Sequence, residues 1–70
     1  MRLSTRNQLT GTVTEVTVGA VSAIVKVKLD GGEQIVTASI TKEAVEELGL
    51  VAGTKTTVLV KSSEVTLAVE

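Results

Sequence analysis

Apolar residues, with valine the commonest, alternate with polar residues through much of this 70-residue chain. Residues 21–29 are the clearest case, because Val25 and Val27 fall on one parity while Lys26 and Lys28 fall on the other. A period of two places successive side chains on opposite faces of a strand, and β-branched residues favour strands. The alternation therefore predicts a chain built mainly from β-strands.

Five strands are predicted, at residues 9–18, 21–29, 33–40, 54–61 and 65–69. In the first, Val13 lies on one parity but Val16 and Val18 lie on the other, which predicts a β-bulge near residues 14–15. The Asp-Gly-Gly sequence at residues 30–32 predicts a hairpin, since glycine accepts a positive φ freely.

One short helix is predicted at residues 41–49. Thr41 can cap its start, Glu43 suits its first turn, and Gly49 can end it in the left-handed conformation. The element order is then β-β-β-α-β-β in a single domain, residues 1–70. We expect an all-β fold with one short helix, in the form of a five-stranded OB-type barrel. A half-open five-stranded sandwich is the alternative.

The size of the chain predicts self-association. It contains no Cys and no His, so neither a disulfide nor a zinc site can stabilise a core this small. It is 43% hydrophobic without a single aromatic residue, and its aliphatic residues outnumber those that one face of a small sheet can use. Ile24 even interrupts a polar face. An apolar surplus of this kind indicates a subunit interface.

Composition also excludes several classes of function. A net charge of −1 without aromatic residues argues against a nucleic-acid partner. No apolar run is long enough to cross a membrane, and no signal-peptide region begins the chain, so a cytoplasmic location is expected. The absence of His, Cys and a P-loop motif predicts a protein that is not an enzyme and carries no cofactor.

Two segments concentrate hydrogen-bond donors beside a cation at a strand end. The first is residues 4–8, which include Ser4, Arg6 and Asn7, and the second is residues 61–63, which include Lys61 and Ser62. Such a set suits a small oxyanion, which accepts hydrogen bonds but offers none. Residues 18–22 add backbone N–H groups at a glycine turn. From the residues alone, however, a polar strand start, a surface turn and an ordinary hairpin are the simpler interpretations.

Four stretches of the chain together resemble the molbindins, which are stand-alone Mop domains: STRNQLTGTV, GAVSAIV, VEELGLVAG and VLVKSSEVTLA. The resemblance covers nearly the whole chain, and its specificity lies in the order of these stretches. It implies an OB-type five-stranded barrel and assembly as a homohexamer, a trimer of dimers. It also implies that molybdate or tungstate binds between subunits, for intracellular storage, buffering or homeostasis of the anion.

The resemblance implies a set of oxyanion-binding positions in this chain. Ser4, Arg6, Lys61 and Ser62 match the main site, and Asn7 matches a motif position whose role is either ligand contact or structural. A neighbouring subunit would contribute the turn formed by Gly19, Ala20, Val21 and Ser22. Two alternatives of other classes stay open, a nucleic-acid-binding OB module and a purely structural oligomerisation module.

Overall fold

The computed structural model describes residues 1–70 and contains one antiparallel sheet of four strands. The strands are β1 (Asn7–Val18), β2 (Ser22–Leu29), β3 (Ile35–Thr41) and β4 (Lys55–Val60). Their spatial order is β3-β2-β1-β4, so β1 and β2 are central while β3 and β4 form the two edges. The sheet curls into a half-barrel around one apolar face, as the all-β prediction requires.

The predicted β-bulge is confirmed by the pairing of β1 with β2. Val13 pairs with Val27, but the next partners are Glu15 and Lys26, so Thr14 is the extra residue. After it, Val16 faces Val25 across the ladder. A bulge bends a strand and shifts the parity of the side chains that follow. The parity switch in the sequence is therefore the signature of the point at which β1 curls.

The core is small and consists almost entirely of valine. Val13, Val25 and Val27 are fully buried beside Ala23, and Val45 covers them from the helix α1 (Lys42–Leu48). The helix begins and ends as predicted. The Thr41 hydroxyl accepts the Ala44 N–H at 3.0 Å, and Gly49 is left-handed with φ of 64°. No helix in the structure has the length and apolarity needed to cross a membrane.

The predicted fifth strand is not formed. Residues 62–64 form a short 3-10 turn, Ser62–Glu64, and the six residues that follow have no regular secondary structure. We call residues 65–70 the C-terminal segment. Its side chains project into solvent, with Leu67 92% and Val69 98% exposed. Alternation gives this segment the pattern of a strand, but a strand also needs a neighbour, and within one chain the segment pairs with none.

A groove remains where a fifth strand would close the barrel. It has a volume of about 200 Å³ and lies between the two edge strands, with mostly apolar walls. Ala38 and Ile40 line it from β3, Val58 lines it from β4, and Leu48 and Leu50 line it from the helix and the residues after it. We call it the β3–β4 groove. Leu48 is 68% exposed and stands at the margin of this groove.

Candidate functional site

Antiparallel pairing of β1 with β4 brings the two predicted donor segments to the same end of the sheet. Asn7 pairs with Val60, which is the first position of β1 against the last position of β4. Ser4 and Arg6 therefore approach this point along the chain as Lys61 leaves it. We call the cluster the donor end; it consists of Ser4, Arg6, Asn7, Lys61 and Ser62.

The donor end has many unused donors. The backbone N–H groups of Arg6, Lys61 and Ser62 donate to no backbone or side-chain acceptor in the chain. The nearby 3-10 turn uses only the N–H groups of Glu64 and Val65. The hydroxyls of Ser4 and Ser62 are exposed and make no hydrogen bond within the chain. These free donors are available to a ligand that offers several hydrogen-bond acceptors.

The two cations of the donor end are not neutralised by carboxylates. The ion pairs of the chain are elsewhere, with Lys26 and Glu15 4.0 Å apart and Lys28 and Glu33 3.4 Å apart. Arg6 and Lys61 form no ion pair and are exposed to solvent. The donor end therefore presents positive charge to any anion that reaches it.

Two carboxamides at the donor end bind backbone carbonyls of the chain. The Asn7 Nδ2 donates to the Val60 carbonyl at 3.0 Å from a half-buried position. The Gln8 Nε2 donates to the Thr5 carbonyl at 2.7 Å. Gln8 lies within the donor-rich segment of residues 4–8 but is not among the predicted oxyanion-binding residues.

The structure does not bring the turn of Gly19, Ala20, Val21 and Ser22 to the donor end. The turn follows β1, whereas the donor end precedes it, and β1 is 12 residues long. A strand of that length extends roughly 35 Å when straight, and the longest dimension of the chain is 37 Å. One chain therefore carries two separate sets of donors, one at each end of β1.

The turn itself leaves backbone donors free. The Gly19 N–H donates to the Ser22 carbonyl at 2.8 Å, and the Val21 carbonyl accepts the Lys42 N–H at 2.8 Å. The N–H groups of Ala20 and Val21 donate to nothing in the chain. Val21 is 77% exposed.

A second, more polar cavity of about 320 Å³ lies beside the hairpin that joins β2 and β3. Thr12, Thr14 and Lys28 line it, but so does Asp30, whose carboxylate repels anions. Its lining therefore lacks the donor-only character of the donor end. No cluster of three or more His, Cys, Asp or Glu residues is placed to hold a metal ion.

Comparison with known proteins identifies relatives over nearly the whole chain. The family described as TOBE domain matches residues 3–67. Molybdenum-pterin-binding protein 3 of Clostridium pasteurianum is 40% identical over 65 residues, which are 93% of this chain and 94% of that protein. Molybdenum-pterin-binding protein MopA of Rhodobacter capsulatus is 47% identical over 68 residues, or 97% of this chain, but the chain spans only 25% of its length.

Solved structures have the same fold. MopII from Clostridium pasteurianum superposes with a TM-score of 0.90 at 37% identity, covering 97% of this chain and 100% of that one. A molybdate-binding protein from Sporomusa ovata gives 0.89 at 37% identity, covering 97% and 98%. The cytoplasmic molybdate-binding protein ModG, with molybdate bound, gives 0.82 at 48% identity, covering 89% of this chain and 43% of that one.

Proposed function

The chain belongs to the TOBE domain family, as its resemblance to the molbindins implies, and we propose that it binds molybdate. The observation that carries the proposal is the donor end, where a cation from each of two segments lies among free N–H and hydroxyl donors without a carboxylate partner. The structure of ModG, which is 48% identical in sequence and has molybdate bound, supports the choice of anion. Tungstate has nearly the same size and charge and should bind comparably.

The donor end selects by hydrogen-bond chemistry. Molybdate is a tetrahedral dianion at neutral pH and offers acceptors only, whereas phosphate near neutral pH retains an O–H that would face another donor. An unpaired donor of this kind is costly when it is desolvated. Each hydrogen bond to a charged group contributes about 1.5–3 kcal/mol. A handful of them reaches the roughly 8 kcal/mol that corresponds to micromolar affinity.

The complete site requires more than one copy of the chain. The free N–H groups of Ala20 and Val21 lie at the far end of β1 from Arg6 and Lys61. We infer that a second copy supplies its turn to the donor end of the first. Each copy would then take part in two sites, which favours a closed, symmetric assembly. We propose that this assembly is a homohexamer, a trimer of dimers, as the resemblance to the molbindins implies.

The half-barrel supports self-association independently of the anion. β3 and β4 are unpaired edges, the β3–β4 groove is apolar, and the C-terminal segment is an unpaired apolar strand sequence. We infer that the segment of one copy lies in the groove of another. The resulting protein stores or buffers molybdate in the cytoplasm and catalyses no reaction. A purely structural oligomerisation module, which the groove also supports, is the second candidate.

Titration calorimetry with four oxyanions separates the two candidates. We expect saturable binding of molybdate and tungstate, much weaker binding of sulfate because it is smaller, and none of phosphate because of its O–H. Bound anion should also raise the melting temperature, since it stabilises the assembled state by mass action. A stable assembly with equal or absent heats for all four anions would instead establish the structural module.

Replacement of Lys61 by alanine should weaken molybdate binding at least tenfold, or about 1.4 kcal/mol, and leave the fold intact because the side chain is exposed and unpaired. Lys28→Ala is the matched control. It removes the same charge from a surface ion pair with Glu33, which contributes little to stability. Equal affinities for the two variants in the same titration would show that Lys61 is not a ligand.

A further inference from the structure

The side-chain amides of Asn7 and Gln8 each donate a hydrogen bond to a backbone carbonyl next to the donor end. Asn7 binds the Val60 carbonyl at 3.0 Å, and Gln8 binds the Thr5 carbonyl at 2.7 Å. A carbonyl only accepts, so in both cases the amide nitrogen must be the end that faces it. The two side chains are adjacent in sequence but reach into different segments, Gln8 into its own and Asn7 into the end of β4.

Each held carbonyl belongs to a peptide group whose N–H is free. The Thr5 carbonyl shares its peptide plane with the Arg6 N–H, and the Val60 carbonyl shares its plane with the Lys61 N–H. Neither of these N–H groups has an acceptor in the chain. In a planar trans peptide, the C=O and the N–H point in opposite directions. Fixing the oxygen therefore fixes the direction of the N–H on the other side of the same plane. The Val60 carbonyl also accepts the Asn7 backbone N–H in the β1–β4 ladder, so Asn7 adds a second hydrogen bond to it, whereas the Thr5 carbonyl is held by Gln8 alone.

We propose that Asn7 and Gln8 are positioning residues that direct the backbone N–H groups of Lys61 and Arg6 toward the bound oxyanion. The inference rests on the proposed molybdate-binding function and adds two backbone ligands to it. It also gives the carboxamides a part in anion selection. A peptide that is not held can rotate about its flanking bonds and present its carbonyl oxygen, which repels an anion. Gln8 keeps the Thr5 oxygen turned away, and Asn7 reinforces the ladder hydrogen bond that keeps the Val60 oxygen turned away.

Nuclear magnetic resonance of the uniformly ¹⁵N-labelled full chain tests the assignment directly. On addition of molybdate, we expect the Arg6 and Lys61 backbone amide protons to shift downfield and to exchange more slowly with solvent. The side-chain amide protons of Asn7 and Gln8 should change little, because they keep the same carbonyl partners. If the side-chain protons respond while the Arg6 and Lys61 amides do not, the carboxamides are themselves ligands and the inference is wrong.

Two variants remove the carboxamide donors one at a time. Gln8→Met keeps the length of an exposed side chain, and Asn7→Leu keeps approximate size at the half-buried position. Gln8→Met should weaken molybdate binding about tenfold, as expected for one misdirected hydrogen bond to a charged ligand, and should abolish the response of the Arg6 amide while sparing that of Lys61. Asn7→Leu should have a smaller effect, confined to Lys61, because the Val60 carbonyl keeps its ladder hydrogen bond from the backbone N–H of residue 7.

Gln34→Met provides the matched control. Gln34 is exposed, and its side chain makes no hydrogen bond, so this variant should bind like the wild type. If Asn7→Leu fails to fold, Gln8→Met still decides the question. Normal affinity in Gln8→Met, or equal loss of both amide responses, overturns the inference alone. Wild-type spectra that do not respond to molybdate overturn the proposed function and the inference with it.

Discussion

Deletion of the C-terminal segment is expected to abolish both self-association and molybdate binding. The segment has six residues, close in length to β3 with seven and β4 with six. Its apolar side chains, Val65, Leu67 and Val69, share one parity, as a strand with one buried face requires. The β3–β4 groove offers an apolar floor and two unpaired edges to such a strand. Without the segment, the groove and both edges stay in water.

The expected effect is large compared with the stability of so small a domain. Burying a Val or Leu side chain contributes about 1.5–3 kcal/mol, and Leu67 and Val69 are almost fully exposed in the isolated chain. Leu67 and Val69 together contribute roughly 3–6 kcal/mol per copy, and Val65, which is 45% exposed in the isolated chain, adds less. The sum is comparable with the lower end of the free energy of unfolding of an ordinary domain. In the proposed arrangement, loss of the assembly also separates the donor end from the turn of the neighbouring copy and so weakens molybdate binding.

Sedimentation and calorimetry on the chain ending at Glu64 measure both losses. A full-length variant gives the sharper comparison, with Val65, Leu67 and Val69 all replaced by serine. Its control carries Thr66→Ser and Ala68→Ser, on the opposite parity of the same segment. We expect the first variant to be monomeric and the control to assemble normally. Unchanged assembly and binding after deletion would show that the segment lies outside the interface.

The locally encoded features of the fold could be predicted from the sequence. The bulge at Thr14 follows from the parity switch that brings Val16 back to the inner face. The two ends of the helix follow from the capping chemistry of Thr41 and Gly49. The fifth strand was predicted on the same grounds and is absent. Alternation specifies the faces of a strand but not its partner, and the partner depends on contacts far along the chain or in another copy.

The candidate site also has one part that could be predicted from the sequence and one part that could not. Chemistry alone marked Arg6 and Lys61 as cations among hydroxyls, and the antiparallel pairing of β1 with β4 then brings their segments together. The bonds of Asn7 and Gln8 to backbone carbonyls could not be predicted. Their direction depends on the register of the ladder and on side-chain torsions, neither of which residue type determines. A list of donors therefore does not distinguish those that contact the ligand from those that orient it.

Replacement of Gly11 by alanine is expected to destabilise the fold severely. Gly11 is buried in β1 and pairs with Leu29 of β2, so the backbone of β2 lies close beside it. A Cβ atom there would lie 2.5 Å from the Lys28 carbonyl oxygen and 2.8 Å from the Val27 Cγ1. Both distances are far below van der Waals contact, and the nearer atom belongs to backbone held in a ladder, so the strands must separate. Overpacking of a core costs about 1–3 kcal/mol and occasionally more, and we expect the upper end.

Gly32→Ala separates this steric effect from the ordinary consequence of replacing glycine. Nothing lies within 4 Å of a Cβ at Gly32, and its φ is not positive. Alanine there should be neutral or slightly stabilising, because it restricts the unfolded chain. In a domain of this size, 3 kcal/mol corresponds to roughly 12–24 °C in Tm. Thermal melts at equal protein concentration should therefore place Gly11→Ala at least 10 °C below Gly32→Ala; similar melting temperatures would mean that β1 and β2 do not approach so closely at this point.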